Sequence, residues 1–239
     1  MDHEALILAL QRGKLQLEGQ FAAGSNTTFL ARISANGETL RVVYKPTRGE
    51  RPLWDFPTGT LTRREVAAYQ VSRLLGWELV PPTVLRRAGP AGGGSVQLFI
   101  PHNPEDHFFN FSLADQERLR PVVLLDALIN NADRKSGHIF LDAERHIWLI
   151  DHGLCFHRED KLRTVLWLFA GTPIPPELLS SLSCFVEQLN PTAPAWLALK
   201  KLLRPAEIRA MLRRAQALLA VPVFPMPPTT RRPFPWPPV

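Results

Sequence analysis

The sequence predicts a two-lobed α+β fold, with a small antiparallel sheet lobe followed by a mostly helical lobe. Three observations carry this. The first hundred residues alternate apolar and polar positions in short runs separated by turn residues, as half-buried strands do. The second hundred switch to helical spacing, interrupted by one short strand pair. The last 18 residues then hold eight prolines, which no regular helix tolerates.

Taken in order, Asp2 can cap a short helix through Arg12. The run "KLQLEGQF" alternates as a strand. "TTFLARISANGETLRVVYKP" is a hairpin, with Asn36-Gly37 supplying the turn. Residues 47–60 mix Pro, Gly and aromatics without a period and read as an ordered loop. "LTRREVAAYQVSRLLG" is a helix in which Thr62 and Glu65 have capping-box spacing and Gly76 is the stop. "PTVLRRAGPAGGGSVQLFIP" is a second hairpin with a glycine-rich tip. That tip lacks the Gly-Lys-Ser/Thr ending of a phosphate loop and opens a strand rather than a helix. "SLADQERLRPVVLLDALINNA" is helical, capped by Ser112 and kinked or restarted at Pro121. Two short strands, "HIFL" and "HIWLI", follow. Helical patterns are expected at 161–169, 176–188, 194–203 and 205–220. The expected division is a sheet lobe over 1–101, a helical catalytic lobe over 102–221 and a proline-rich tail over 222–239, extended and partly ordered against the body.

Composition narrows the functional classes. The chain has 239 residues, 45% of them hydrophobic, enough for a sizeable core. Its formal charge of +6 suits an anionic partner. The basic residues are scattered rather than clustered, so a nucleic-acid interface is not expected. The two cysteines, Cys155 and Cys184, form no CxxC pair, which argues against a zinc cage or a disulfide framework. The N-terminus has acids where a signal peptide carries Lys or Arg, and the richest apolar run, "VVLLDALI", is broken by Asp126. A soluble cytoplasmic protein without a membrane anchor is the expectation.

The chemistry concentrates in "NNADRKSGHIFLDAERHIWLIDHGLCF". Asp133 follows a helix, and Asp151 ends an apolar strand where a lone carboxylate would be costly without a cation or donors. Two strands joined by a tight turn bring Asp133, His138 and Asp151 toward one space, which suits a divalent cation and a phosphate chain. Lys45 ends the apolar strand "RVVYK", a position from which its ammonium can serve phosphates. Glu65, early in the long helix, can pair with it. "SVQLFIP" leads out of the sheet with backbone groups able to bond a flat base. Together these are the parts of a phosphotransfer centre.

These residues resemble a family. Asp-Arg-x-x-x-Asn/His followed by Ile-Asp-x-Gly looks like the catalytic and metal-binding loops of the phosphatidylinositol 3-/4-kinase-like group, an arrangement shared by HipA-type bacterial kinases. "YKPTRGERPLWDFPTGTLTRREVAAY", "VPPTVLR", "NNADRKSGH", "IDHGLCF" and "LRTVLW" resemble most closely small, largely uncharacterised bacterial proteins, often actinobacterial, over residues 20 to 239. The resemblance implies a protein-kinase-like two-lobe fold. It implies that Lys45 binds the α/β-phosphates of ATP, that Glu65 orients it, and that Gln97, Phe99 and Ile100 belong to the hinge beside the base. It implies Asp133 as the catalytic aspartate, Asp151 and His138 as ligands of Mg²⁺ or Mn²⁺, and Ser25, Asn26 and Thr27 as phosphate-covering groups. His138 stands where most relatives have asparagine. An imidazole there favours softer ions such as Mn²⁺.

The acceptor is a hydroxyl on an unidentified protein, lipid or metabolite. Three other readings stand beside a kinase: a nucleotide-binding regulator without transfer activity, a metal-dependent phosphohydrolase using His138, Asp151 and His152, and transfer of AMP instead of phosphate.

Overall fold

A computed structural model describes every residue except Ala23 and Asn36. Its N-terminal part is built on five antiparallel strands, β1 (Lys14–Gln20), β2 (Phe29–Ala35), β3 (Glu38–Pro46), β4 (Thr83–Arg86) and β5 (Gly94–Leu98), in the order β1-β2-β3-β5-β4. Asn36 of the expected turn lies outside the described residues; its neighbour Gly37 has φ 80°, a left-handed conformation that glycine adopts without a Cβ penalty.

The period of two decides which face each side chain takes. Ala31, Ile33, Val42, Tyr44 and Val96 share one face and bury against Leu10 of helix α1 (His3–Arg12). Asp2 caps α1 by accepting a hydrogen bond from the Ala5 amide at 2.8 Å. Val43 and Lys45 therefore point the other way, and β3 pairs with β5 so that Val43 stands opposite Gln97 and Lys45 opposite Ser95. Of these, Val43, Lys45 and Gln97 line the cleft.

Helix α2 (Leu61–Leu74) lies between this sheet and the helical part of the chain. Its Ala67, Ala68 and Val71 belong to the larger hydrophobic core, together with Leu124, Leu128, Phe156, Phe185 and Met211. The expected capping box is not formed. Thr60 precedes the helix without a side-chain cap, and Thr62 lies inside it. The amide of Thr62 donates to the Glu50 carboxylate at 2.9 Å instead. Glu65 is turned into the protein, where a buried cation outcompetes an exposed amide as its partner. Gly76, at φ 72°, follows the helix as expected.

The C-terminal part holds α3 (Leu113–Glu117), α4 (Arg120–Ile129), the strand pair β6 (Ile139–Leu141) and β7 (Ile147–Leu149), and then α5 (Pro176–Gln188), α6 (Pro194–Lys200) and α7 (Pro205–Ala220). Ser112 caps α3, and Pro121 stands in the first turn of α4, where a missing N–H costs nothing. Every residue of α4 from Val122 to Ile129 is buried, Asp126 included.

No helix forms over 161–169. The apolar spacing there suits a helix, but the amides are used elsewhere. The Arg163 amide donates to Asn131 O at 2.9 Å, the Val165 amide to Arg134 O at 3.1 Å and the Thr164 amide to Pro233 O at 3.0 Å. Three hydrogen bonds to distant segments replace the i−4 ladder, and the segment runs extended beside the loop at 131–136. The tail from Pro222 is extended and packs on the body, with Phe224 fully buried. Among the described residues no helix is long and apolar enough to cross a membrane.

Candidate active site

Between the sheet and the helical part lies a cavity of about 530 Å³. Lys45, Glu65, Asp133, His138 and Asp151 all line it, as do Ser25, Asn26 and the stretch from Gln97 to Ile100. Residues scattered over more than a hundred positions thus share one space, the usual form of a ligand site.

Its centre is an ionic cluster. The Lys45 ammonium bonds the Glu65 carboxylate and also sits 3.0 Å from Asp151 Oδ1. Burial pulls its pKa down, but the charges of Asp151 and Glu65 outweigh this and raise it, so it stays protonated. Asp151 is held below the usual carboxylate range, chiefly by Lys45 and against the effect of burial. Glu65 is pushed up by burial and by the neighbouring negative charge of Asp151, while Lys45 opposes the shift. One cation facing two carboxylates leaves a net negative charge, which a metal ion would neutralise.

Asp151 has φ 60°, a left-handed conformation that a side-chain-bearing residue keeps only when its surroundings hold it. Anchors on both sides do so. The Ile150 carbonyl accepts from Arg134 Nη1 at 2.9 Å, and the His152 amide donates to Glu65 Oε2 at 2.9 Å. The turn swings the carboxylate out of the strand line, leaving its side chain 50% exposed.

His138 Nε2 lies 3.5 Å from Asp151 Oδ2. Burial lowers its pKa to about 4, so the ring is neutral and keeps a lone pair for a cation. Among the described residues no group of three or more His, Cys, Asp or Glu side chains could hold a metal. Asp151 and His138 offer one carboxylate and one imidazole, a set that would fit an ion sharing its remaining positions with phosphate oxygens and water. His152 is no candidate ligand. It is fully buried, with Nε2 2.8 Å from Arg134 Nη2, so it packs in the core behind Asp151.

Asp133 stands across the cleft. Burial lifts its carboxyl to about 6, against the pull of Lys135, whose Nζ is 3.8 Å away, and of Arg163. Its backbone amide donates to Asn131 Oδ1 at 3.0 Å.

The stretch from Gln97 to Ile100 is only partly as expected. The Gln97 side chain donates to Thr83 Oγ1 at 2.9 Å, so it braces two strands. The Phe99 amide is spent on Arg41 O and the Leu98 amide on Pro82 O. Pro82 has no N–H to return a bond, which frees the Leu98 carbonyl. The Ile100 amide has no protein acceptor among the described residues. A carbonyl and an amide two residues apart form the edge a purine base can pair with, while Val43, Phe140 and Ile150 supply apolar walls. On the opposite side, Asn26 Oδ1 accepts from the Arg51 amide at 2.8 Å and the Thr27 amide donates to Gly49 O, tying the loop after β1 down over the cavity. Ala23 of that loop lies outside the described residues.

Several residues that shape this site lie inside the quoted motifs, yet the sequence assigned them no role. Arg134 is entirely buried and grips Asp126 with bonds of 2.9 Å from Nε and Nη2, tying the loop that carries Asp133 to α4. Asn131 donates to the same carboxylate at 3.0 Å. A signal existed: an acid within the apolar run "VVLLDALI" needs a buried partner. Arg64, next to Glu65, is also buried and pairs with Glu207 of α7, so α2 is anchored to the helical part. Glu50, which bonds the start of α2, also lies in a quoted motif and was assigned no role.

The fold is the protein-kinase-like two-lobe fold. It superposes on the Golgi casein kinase with Mn/ADP bound, with a TM-score of 0.60 over 91% of this chain and 74% of that one at 18% identity. It also matches the Helicobacter pylori proinflammatory kinase CtkA, with a TM-score of 0.55 over 90% and 94% at 10% identity. By sequence the chain belongs to the family of Protein Rv2133c of Mycobacterium tuberculosis, to which it is 41% identical over 271 aligned positions, covering 99% of this chain and 95% of the relative. A shorter match, 31% identical over 166 positions and 61% of this chain, is to phosphatidylinositol 4-kinase gamma 4 of Oryza sativa subsp. japonica, of which it spans 27%. No protein-family model matches the chain.

Proposed function

We propose that this protein is an ATP-dependent phosphotransferase that moves the γ-phosphate of ATP to the hydroxyl of an unidentified protein, lipid or metabolite. The observation that carries this reading is the Lys45 ammonium, joined to Glu65 and Asp151 in a cavity whose far wall presents Asp133. A phosphohydrolase built on His138, Asp151 and His152 has no use for that lysine, and His152 is turned away from the cavity.

In this reading the Leu98 carbonyl and the Ile100 amide pair with the adenine edge. Ser25, Asn26 and Thr27 cover the phosphates, and Lys45 neutralises their charge while Glu65 holds it in place. Asp151 and His138 hold a divalent cation, Mg²⁺ or Mn²⁺, which when bound neutralises phosphate charge. Asp133 accepts the acceptor's hydroxyl proton and aligns its oxygen for in-line attack on the γ-phosphorus; the bond to the β,γ-bridging oxygen breaks and ADP leaves. Lys135, beside Asp133, offers a further cation to the transferring phosphate. Kinship with phosphatidylinositol 3-/4-kinase-like and HipA-type kinases rests on the loop motifs and leaves the acceptor open.

The test is ATP labelled at the γ or the α position, incubated with the protein, Mn²⁺ or Mg²⁺, and a cell extract as the source of acceptors. Transfer of γ label alone supports the reading. Transfer of α label means AMP transfer. Saturable nucleotide binding with neither label moved means a nucleotide-binding regulator.

A further inference from the structure

The proline-rich tail has no part in the nucleotide cavity, yet its hydrogen bonds run from residues 171–174 to residues 160–167 and on to the loop that carries Asp133. The Pro222 carbonyl accepts from the Ile174 amide at 2.8 Å, and Phe224 exchanges bonds with Gly171 and Thr172 at 3.0 and 2.9 Å. Further along, the Pro233 carbonyl accepts from the Thr164 amide at 3.0 Å and from Trp167 Nε1 at 3.3 Å. Arg231 lies between these points, with Nη2 2.8 Å from Asp160 Oδ1 and Nη1 2.6 Å from Leu162 O. The tail finishes on the catalytic loop, where the Pro238 carbonyl accepts from the Ser136 amide at 2.9 Å.

Residues 160–167, held from outside by the tail, hold the catalytic loop on their inner side. The Arg163 amide donates to Asn131 O at 2.9 Å, Arg163 Nε to Ala132 O at 2.8 Å, and the Arg134 amide to Arg163 O at 3.1 Å. These bonds fall on the residues either side of Asp133. Three extended stretches therefore lie side by side: the loop at 131–136, the segment at 160–167 and the tail at 231–238. Proline suits the outermost position. Ser136, Thr164 and Ile174 each present an amide that needs an acceptor, and a proline carbonyl provides one without bringing an N–H of its own to satisfy. The restricted φ of proline also lowers the entropy lost when the tail is ordered.

We propose that the tail is a strap that sets the acceptor side of the site, and that Arg231 is the positioning residue that fastens it. By holding 160–167 against the catalytic loop, it fixes Asp133 together with the Lys135 and Arg163 cations beside it. The nucleotide side is independent of the strap, because none of the residues lining the cavity comes from 160–167 or from the tail. The assignment of the acceptor side rests on the phosphotransfer reading; the mechanical role of the strap does not.

The experiment uses the full-length chain with Arg231→Glu, which repels Asp160, and the charge swap Arg231→Glu with Asp160→Arg. Hydrogen exchange is followed at the Ser136 and Thr164 amides, and ADP binding is measured with Mn²⁺ by calorimetry. Arg231→Glu is expected to speed exchange at both amides by about tenfold, to leave ADP affinity within about twofold and to slow γ-phosphate transfer; the swap restores exchange and transfer. Unchanged exchange at Ser136 overturns the strap. So does faster exchange spread evenly over the chain with ADP affinity lost in step, which would mark a general contribution to folding. Failure of the swap to restore exchange removes Arg231 as the fastener. If the strap loosens as expected but no variant binds nucleotide, the phosphotransfer reading fails and the strap stands.

Discussion

Lys45 reaches across the cleft to Asp151, with Nζ 3.0 Å from Oδ1, although the two are 106 positions apart in the chain. The contact ties the sheet to the end of β7 and sets a cation where phosphate charge would collect. Lys45→Ala should therefore leave two neighbouring carboxylates unneutralised as well as removing the phosphate contact. We expect kcat/KM for ATP to fall by about 10²- to 10³-fold, measured as γ-phosphate transfer. ATP turnover and affinity equal to those of the parent would remove the main support for a kinase.

Asp133 supplies a pH signature. Its carboxyl is raised to about 6, chiefly by burial, and its proposed role needs the deprotonated form. Turnover should fall as the pH drops through about 6, and Asp133→Asn should cost about 10²- to 10⁴-fold at pH 8 with that limb of the profile gone. The stability sign is the opposite. A carboxyl whose pKa rises on folding stabilises the fold fully only below its unfolded value near 3.8, and that contribution is lost as the pH rises through about 6. Asp133→Asn should accordingly stabilise the protein by about 1–3 kcal/mol at pH 8 and make little difference at pH 4, as urea titrations at the two pH values would show.

The Arg134–Asp126 pair is a different kind of contact, since both side chains are buried and exposure is 1% or less. Removing one partner strands a charge in the core. Arg134→Met should cost about 3–5 kcal/mol and lower the thermal midpoint by on the order of 10 °C. The double change Arg134→Met with Asp126→Leu removes both charges and should recover much of that stability, while the anchor on Ile150 O, and with it the setting of Asp151, stays lost. Recovered stability together with full γ-phosphate transfer would show that the pair plays no part in placing the site.

His138 offers an imidazole where an oxygen would favour Mg²⁺. His138→Asn should shift the preference several-fold from Mn²⁺ toward Mg²⁺ in ADP binding, a readout that needs no acceptor. An unchanged ratio of the two affinities would rule His138 out as a ligand.

Much of this was legible in the chain. Lys45 could be placed because alternation along "RVVYK" sends Tyr44 to the core and Lys45 to the other face. Asp151 could be placed because a carboxylate at the end of an apolar strand needs a partner. The capping box at Thr62 was misread because its spacing is a local signal, and a buried lysine from another strand took Glu65 away from the helix end. The helix expected at 161–169 failed for the same reason: its apolar spacing is genuine, but the amides of Arg163, Thr164 and Val165 found carbonyls on the loop around Asp133 and on the tail.

The sequence by itself determined the strand faces and pointed to the acids and the lysine that line the cavity, because periodicity and capping are properties of neighbours along the chain. Only the tertiary structure decided which charges meet. It gave Arg134 to Asp126, buried His152 away from the cavity by packing it against Arg134, bound Arg64 to Glu207 and laid the tail along 160–167. Buried charges and backbone amides take the partners that three-dimensional proximity offers, and those partners lie up to 143 positions away in the chain.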